Sequence, residues 1–146
     1  MIKNEIDCVD QFFTAKRYSE KGKCFIAEKK LDNGYELSFY AKGETAADLS
    51  LLVRSIDAFS CLMRNWDSYV RLIFEGLEKK CPDYFDGASA SDVLVPESLE
   101  LTSIDVDNMN LARITFYDRS QTFGGHYVVA DLDGGWNVTN VGLSDL

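Results

Sequence analysis

Between residues 46 and 80 the apolar side chains recur every three or four positions, while on both sides the chain alternates with period two. Helices in the middle and strands at both ends leave few ways to bury an apolar face. The simplest is two layers, with the helices covering one side of a sheet. Leu49, Leu52, Ile56, Phe59 and Met63 form one helical stripe. Asn65 is placed to cap a second helix with Asp67 in its first turn, and that helix buries Trp66, Tyr69, Val70, Ile73 and Leu77. Lys79 and Lys80 suit its negative end, and Pro82 stops it. The short Arg64-Asn65 joint predicts an antiparallel helix pair, against the alternative of a single kinked helix of more than 30 residues.

The period-two segments carry register information. Residues 23–31 and 35–41 form a hairpin around Asp32-Asn33-Gly34. A two-residue loop would set Tyr35, Leu37 and Phe39 against Asp32, Lys30 and Glu28. A three-residue loop with a left-handed Gly34 pairs Leu31 with Tyr35, Ala27 with Phe39 and Phe25 with Ala41. Register follows the face that is buried, so the three-residue loop is expected. A loop over 82–97 leads to Leu99 and Leu101, after which Ile104 and Val106 require a bulge that switches the strand's face. Ala112, Ile114 and Phe116 share a face of the next strand, and Val128, Ala130 and Leu132 share a face of the one after. A loop of Asp133, Gly134 and Gly135 then pairs Leu132 with Trp136 and Ala130 with Val138. Over residues 5–17, Ile6, Val9, Phe12 and Phe13 leave a short helix and an irregular lead-in both open. The expected fold is α+β, with order β-β-α-α-β-β-β-β and a mainly antiparallel sheet packed on two central helices. It is read as a single domain over residues 1–146, and the pattern leaves open whether the two strand groups share one sheet.

Charge is distributed unevenly. Residues 1–45 carry eight acidic and eight basic side chains, and residues 46–82 carry five of each. Residues 83–146 carry eleven acidic groups against Arg113 and Arg119, so the whole net charge of −9 lies there. Such a surface repels phosphate backbones and attracts a basic protein, although acidic side chains also simply keep a small protein soluble. The basic run from Lys16 to Lys23 is balanced by nearby acids and reads as solvated surface rather than an RNA or membrane patch. The N-terminal residues lack the basic-then-apolar pattern of a signal peptide, and no apolar run exceeds four residues, so a cytoplasmic protein is expected.

The chemistry-bearing residues form no catalytic array. Cys8, Cys24, Cys61 and Cys81 contain no Cys-x-x-Cys pair, and four free, mostly buried thiols are expected with no metal and no cofactor. His126 stands alone at the start of a strand. As a general base it would need Asp118 or Asp131 to orient it, whereas bonding to backbone is the commoner arrangement for a lone histidine. The Asp131-Leu132-Asp133-Gly134-Gly135 and Asp105-Val106-Asp107 segments miss the calcium-loop pattern, and Asp and Asn at hairpin ends satisfy their own backbone. Tyr40, Tyr117 and Tyr127 fall on strand faces opposite the expected core, where tyrosines ringed by acids make a docking surface. The partner-binding candidates are Asp105, Asp107, Tyr117, Asp118, Tyr127, Asp131 and Asp133.

The C-terminal stretch reads Ile114-Thr115-Phe116-Tyr117, then Gly124-Gly125-His126-Tyr127-Val128-Val129, then Gly134-Gly135-Trp136. In this it resembles uncharacterised small bacterial α+β proteins, several groups of which are similar to immunity proteins encoded beside polymorphic or contact-dependent toxins. The resemblance spans residues 25–142 in element order and about the last 35 residues in pattern. It implies a non-enzymatic interaction module that neutralises a basic, nuclease-like toxin in the cytoplasm. It transfers no catalytic residues. The competing readings are a small ligand-binding domain or enzyme with a cleft near His126, and a structural or housekeeping protein.

Overall fold

The computed structural model describes residues 2–144. Helix α1 (Ile2–Phe12) precedes a three-stranded meander of β1 (Ala15–Ser19), β2 (Cys24–Lys30) and β3 (Glu36–Lys42). Helices α2 (Ser50–Arg64) and α3 (Trp66–Lys80) follow, then the short helix α4 (Ala90–Val93) between two single 3-10 turns. A second meander closes the chain, with β4 (Leu99–Val106), β5 (Ala112–Asp118), β6 (Tyr127–Leu132) and β7 (Val138–Ser144). All seven strands lie in chain order in one sheet, so the two strand groups do join. Their seam is the parallel pair β3 and β4, bridged by the helical crossover, and every other neighbour is antiparallel. The result is the expected α+β architecture, a mainly antiparallel sheet made mixed by its one parallel seam.

One face of the sheet carries the core. Phe25, Ala27, Leu37, Phe39 and Ala41 of the first meander are buried with Leu99, Leu101, Ile104 and Val106 of the second. The expected hairpin register is observed: Ala27 pairs with Phe39, Phe25 pairs with Ala41, and Gly34 has φ +89°. The bulge in β4 is also present, with the register shifting between Leu101 and Ser103 so that Leu101 and Ile104 both face inward.

Five features depart from the sequence pattern. Strand β1 is an additional, exposed edge strand carrying Lys16 and Arg17, so the basic run is solvent-facing as expected but begins inside a strand. Solvent-facing edge strands give no apolar alternation to detect. The joint between α2 and α3 is Asn65 alone, and the helices do not pack side by side as an antiparallel pair. α2 lies over β3 and β4, while α3 lies against β7. Asn65 amide N–H bonds Cys61 O and Tyr69 N–H bonds Asn65 O, so helical hydrogen bonding carries across the kink. The Asn65 side chain donates back to Cys61 O at 2.9 Å instead of capping α3. In the α2 stripe Leu62 is buried and Met63 exposed. At the β6–β7 turn, Leu132 pairs with Val138 and Ala130 with Val141, a longer loop than expected. Its cause is Asp133, whose carboxylate accepts the Gly135 and Asn137 amides at 2.9 Å each. Trp136 is left in the loop at φ +64°, its carbonyl accepting the Tyr69 hydroxyl at 2.5 Å and its ring stacked by Arg54. Finally, the four cysteines are free, but Cys8 is exposed on α1 and the other three are half-buried, Cys24 opening β2 and Cys81 following α3.

Trp66 opens α3 and packs edge-on against Phe116 at 5.7 Å while staying half-exposed. Trp66→Ala is therefore expected to destabilise by about 2 kcal/mol, below the range for a fully buried tryptophan. Urea unfolding of the variant measures it, and an unchanged midpoint would show that this contact contributes nothing.

Candidate functional site

The helices cover one face of the sheet and leave the other open. Strand register draws one row of side chains across that open face. Arg17, Ile26, Tyr40, Asp105, Arg113, Asp131 and Asn140 are successive cross-strand neighbours from β1 to β7. Arg113 is the hub of the charged part. Its Nε donates to Asp131 Oδ1 at 2.7 Å and its Nη2 to Oδ2 at 3.2 Å, a bidentate fork. Asn140 adds a third donor to Asp131 Oδ2 at 3.4 Å. These bonds, led by the Arg113 fork, hold the Asp131 carboxyl below its usual range.

Asp105 is treated differently. It flanks Arg113 on the other side, yet among the described residues nothing donates a hydrogen bond to its carboxylate. Burial pushes its carboxyl up from the ordinary value, and the Arg113 charge only partly opposes this. The carboxylate opens into a cleft of about 590 Å³ whose lining includes Tyr40, Leu111, Arg113, Asp131 and Thr139. Beside it, the β4–β5 turn exposes Met109 (72%) and Leu111 (43%). The cleft thus combines an apolar rim, an exposed aromatic and one carboxylate lacking a hydrogen-bond donor. Such a combination suits a cationic side chain with a long apolar stem.

The structure divides the sequence-derived candidates. Asp105 and Asp131 stand together in the cleft. Asp107 lies at its edge but is occupied by the turn, its Oδ1 accepting the Met109 and Leu111 amides at 2.9 and 3.1 Å. Asp133 is occupied by the β6–β7 loop in the same way. Tyr117 and Tyr127 lie on the open face with ring centroids 5.8 Å apart, but toward the opposite end of β5 and β6. Asp118 does not belong to the surface at all. It is 2% exposed, because it ends β5 pointing inward and collects donors from Ser98, Ser120 and Thr122. Tyr40, Arg113 and Asn140 complete the row. Only the parallel β3–β4 register reveals that Tyr40 neighbours Asp105.

His126 is half-buried, with Nδ1 3.0 Å from Ser144 O, and it does not line the cleft. Neither proposed orienter bonds it, since Asp118 and Asp131 are engaged as described. Among the described residues, no three His, Cys, Asp or Glu side chains gather as metal ligands, and no helix is long and apolar enough to cross a membrane. Comparison of the chain with protein-family models, curated proteins and solved structures finds no match.

Proposed function

We propose that the chain is a protein-interaction module whose open sheet face receives a basic protein, in the manner of an immunity protein neutralising a nuclease-like toxin in the cytoplasm. The observation that supports this reading is Asp105, a half-buried carboxylate in a cleft with no hydrogen-bond donor of its own. An arginine or lysine entering from a partner supplies that donor, while its stem packs on Tyr40 and Leu111. The net charge of −9 steers such a partner toward the face, and the steering weakens as salt is raised.

Asp105 also gives the test its discriminating power. A carboxyl whose folded pKa is raised opposes folding when charged, and the penalty is relieved as pH falls through that raised value. Asp105→Asn removes the charge with little change in shape, so it is expected to raise the melting temperature at neutral pH. Against a basic protein recovered with the wild-type chain by pull-down, it is expected to weaken binding about tenfold or more. Calorimetric titration and thermal melting of the same variant measure both. A variant that binds as tightly as wild type counts against the reading, as does one that binds weakly only because it melts earlier.

A further inference from the structure

Two cross-strand neighbours flank Asp105 on the open face, Tyr40 on β3 and Arg113 on β5. Arg113 is committed on the far side, with Nε and Nη2 both donating to Asp131. Tyr40 is 41% exposed, and among the described residues its hydroxyl takes no hydrogen bond and no ring or cation packs on its face. The other two tyrosines of this face cover each other, Tyr117 beside Tyr127. The carboxylates lining the cleft are Asp105, Asp107 and Asp131 and the cations are Lys42 and Arg113, so one negative charge is left over. Asp131 has its fork and Asp107 its two turn amides. Lys42 shares the cleft with Asp105, yet among the described residues the two make no ion pair. The carboxylate with neither fork nor amide is therefore Asp105, and it stands beside the one open-face tyrosine whose ring is uncovered.

We infer, on the reading that the open face receives a basic protein, that Asp105 and Tyr40 together seat one arginine side chain of that protein in preference to a lysine. A guanidinium is a planar fork that meets both oxygens of a carboxylate at once, and its face stacks on an aromatic ring. Asp105 and Tyr40 offer those two surfaces one strand apart. The same row already holds such a fork, Arg113 on Asp131. An incoming arginine extends the alternation by one step, lying between Tyr40 and Asp105 as Arg113 lies between Asp105 and Asp131. An ammonium is a point charge without a plane, so it gains the attraction of Asp105 but less from the ring. It is also the more strongly hydrated cation, and entry beside the half-buried Asp105 strips more of that water away. Both differences favour the guanidinium at the same point. Lys42 and Arg113 limit the seat to one cation, because a second would leave the lining net positive.

Two tripeptides of equal charge, Gly-Arg-Gly and Gly-Lys-Gly with acetylated and amidated ends, test the preference on the whole chain without a partner. Titrated into isotope-labelled protein at constant ionic strength, the arginine peptide is expected to shift the backbone amide signals of Tyr40, Asp105 and Arg113 saturably, and the lysine peptide to bind about fivefold more weakly. Asp105→Asn is expected to abolish the arginine shifts. Tyr40→Leu keeps the carboxylate and removes the ring, so it is expected to bring arginine binding down to the lysine level. Glu100→Gln removes one charge from the same strand outside the cleft and is expected to bind both peptides as wild type does. Melting curves confirm that each variant is folded, and the wild-type comparison of the two peptides needs no variant. Equal binding of the peptides overturns the inference, as does binding of neither. So do arginine shifts that survive Asp105→Asn or fall as far with Glu100→Gln, and an arginine preference that survives Tyr40→Leu. Failure here is distinct from failure of the docking reading. If Asp105→Asn weakens capture of the basic protein while the peptides bind equally, the arginine seat falls and the docking face stands. If capture is untouched by Asp105→Asn, the docking face itself falls.

Discussion

Phe39→Ala is expected to destabilise the protein by about 3–5 kcal/mol, the range for emptying a fully buried aromatic site. That is a large share of the roughly 5–15 kcal/mol that holds a domain together. Phe39 is fully buried on β3, and its ring meets Phe13 edge-on at 4.9 Å, Phe12 at 5.6 Å and Phe59 at 6.2 Å. Those partners come from the end of α1, the residue beyond it, and α2. Along the sheet, Phe39 pairs with Ala27 of β2 and with Ile104 of β4. It therefore stands where the two meanders are joined by their parallel seam and where two helices descend onto it. The cavity left by alanine cannot close by the movement of one element alone, because each is fixed to a different part of the sheet. Urea unfolding should show a lower midpoint with an unchanged slope. A loss below about 1 kcal/mol would mean that the aromatic cluster is not the centre of the core.

The parts of this fold that could be read from the sequence are those in which a buried face leaves its own periodic mark. The β2–β3 register was legible because shifting it by one residue would set Lys30 and Glu28 against Leu37 and Phe39. The β4 bulge was legible because Leu101 and Ile104 break a strict alternation and both must face inward. Strand β1 was not, since an edge whose side chains meet water needs no apolar pattern. The packing and capping at the helix joint, though not its position, and the β6–β7 turn escape the sequence for a shared reason. A single polar side chain redirected the backbone at each, Asn65 by bonding back to Cys61 and Asp133 by gathering two amides. The candidate site was half legible. Charge alone singles out Asp105 and Asp131, but it marks Arg113 only as one of two bases in the acidic part. That it forks onto one carboxylate and leaves the other without a donor depends on three strands being aligned, and no local pattern encodes that alignment.

Asp118 shows how the same residue type serves the fold instead. Its place in the acidic C-terminal part groups it with the surface acids, yet its carboxylate is buried at the end of β5. Its Oδ1 accepts the Ser98 hydroxyl at 2.9 Å, the Ser120 hydroxyl at 2.6 Å and the Ser120 amide at 3.1 Å, and its Oδ2 accepts the Thr122 amide at 3.1 Å. These bonds tie the turn before β4 to the connection between β5 and β6, which is anchored beside them by the buried Phe123. Burial alone would raise the carboxyl's pKa, but the bonds from Ser120, Ser98 and Thr122 outweigh it and lower the folded value below the ordinary one. The sign of the pH dependence follows. A carboxyl with a depressed folded pKa contributes stability that is fully present above the unfolded value of about 3.9, and loses it as pH falls through the folded value. At pH 7, Asp118→Ala leaves two hydroxyls and two amides without their shared acceptor, and the expected loss is about 3 kcal/mol. As pH drops below about 4, the wild type surrenders the same interactions by protonation, so the difference between the two proteins should narrow. Asp105→Asn provides the opposite slope within one molecule, since its wild-type carboxylate opposes folding at neutral pH. Chemical denaturation of wild type and both variants from pH 7 to pH 3 tests the pair. An Asp118→Ala deficit that is constant across that range would show that the ionised carboxylate is not what joins these turns.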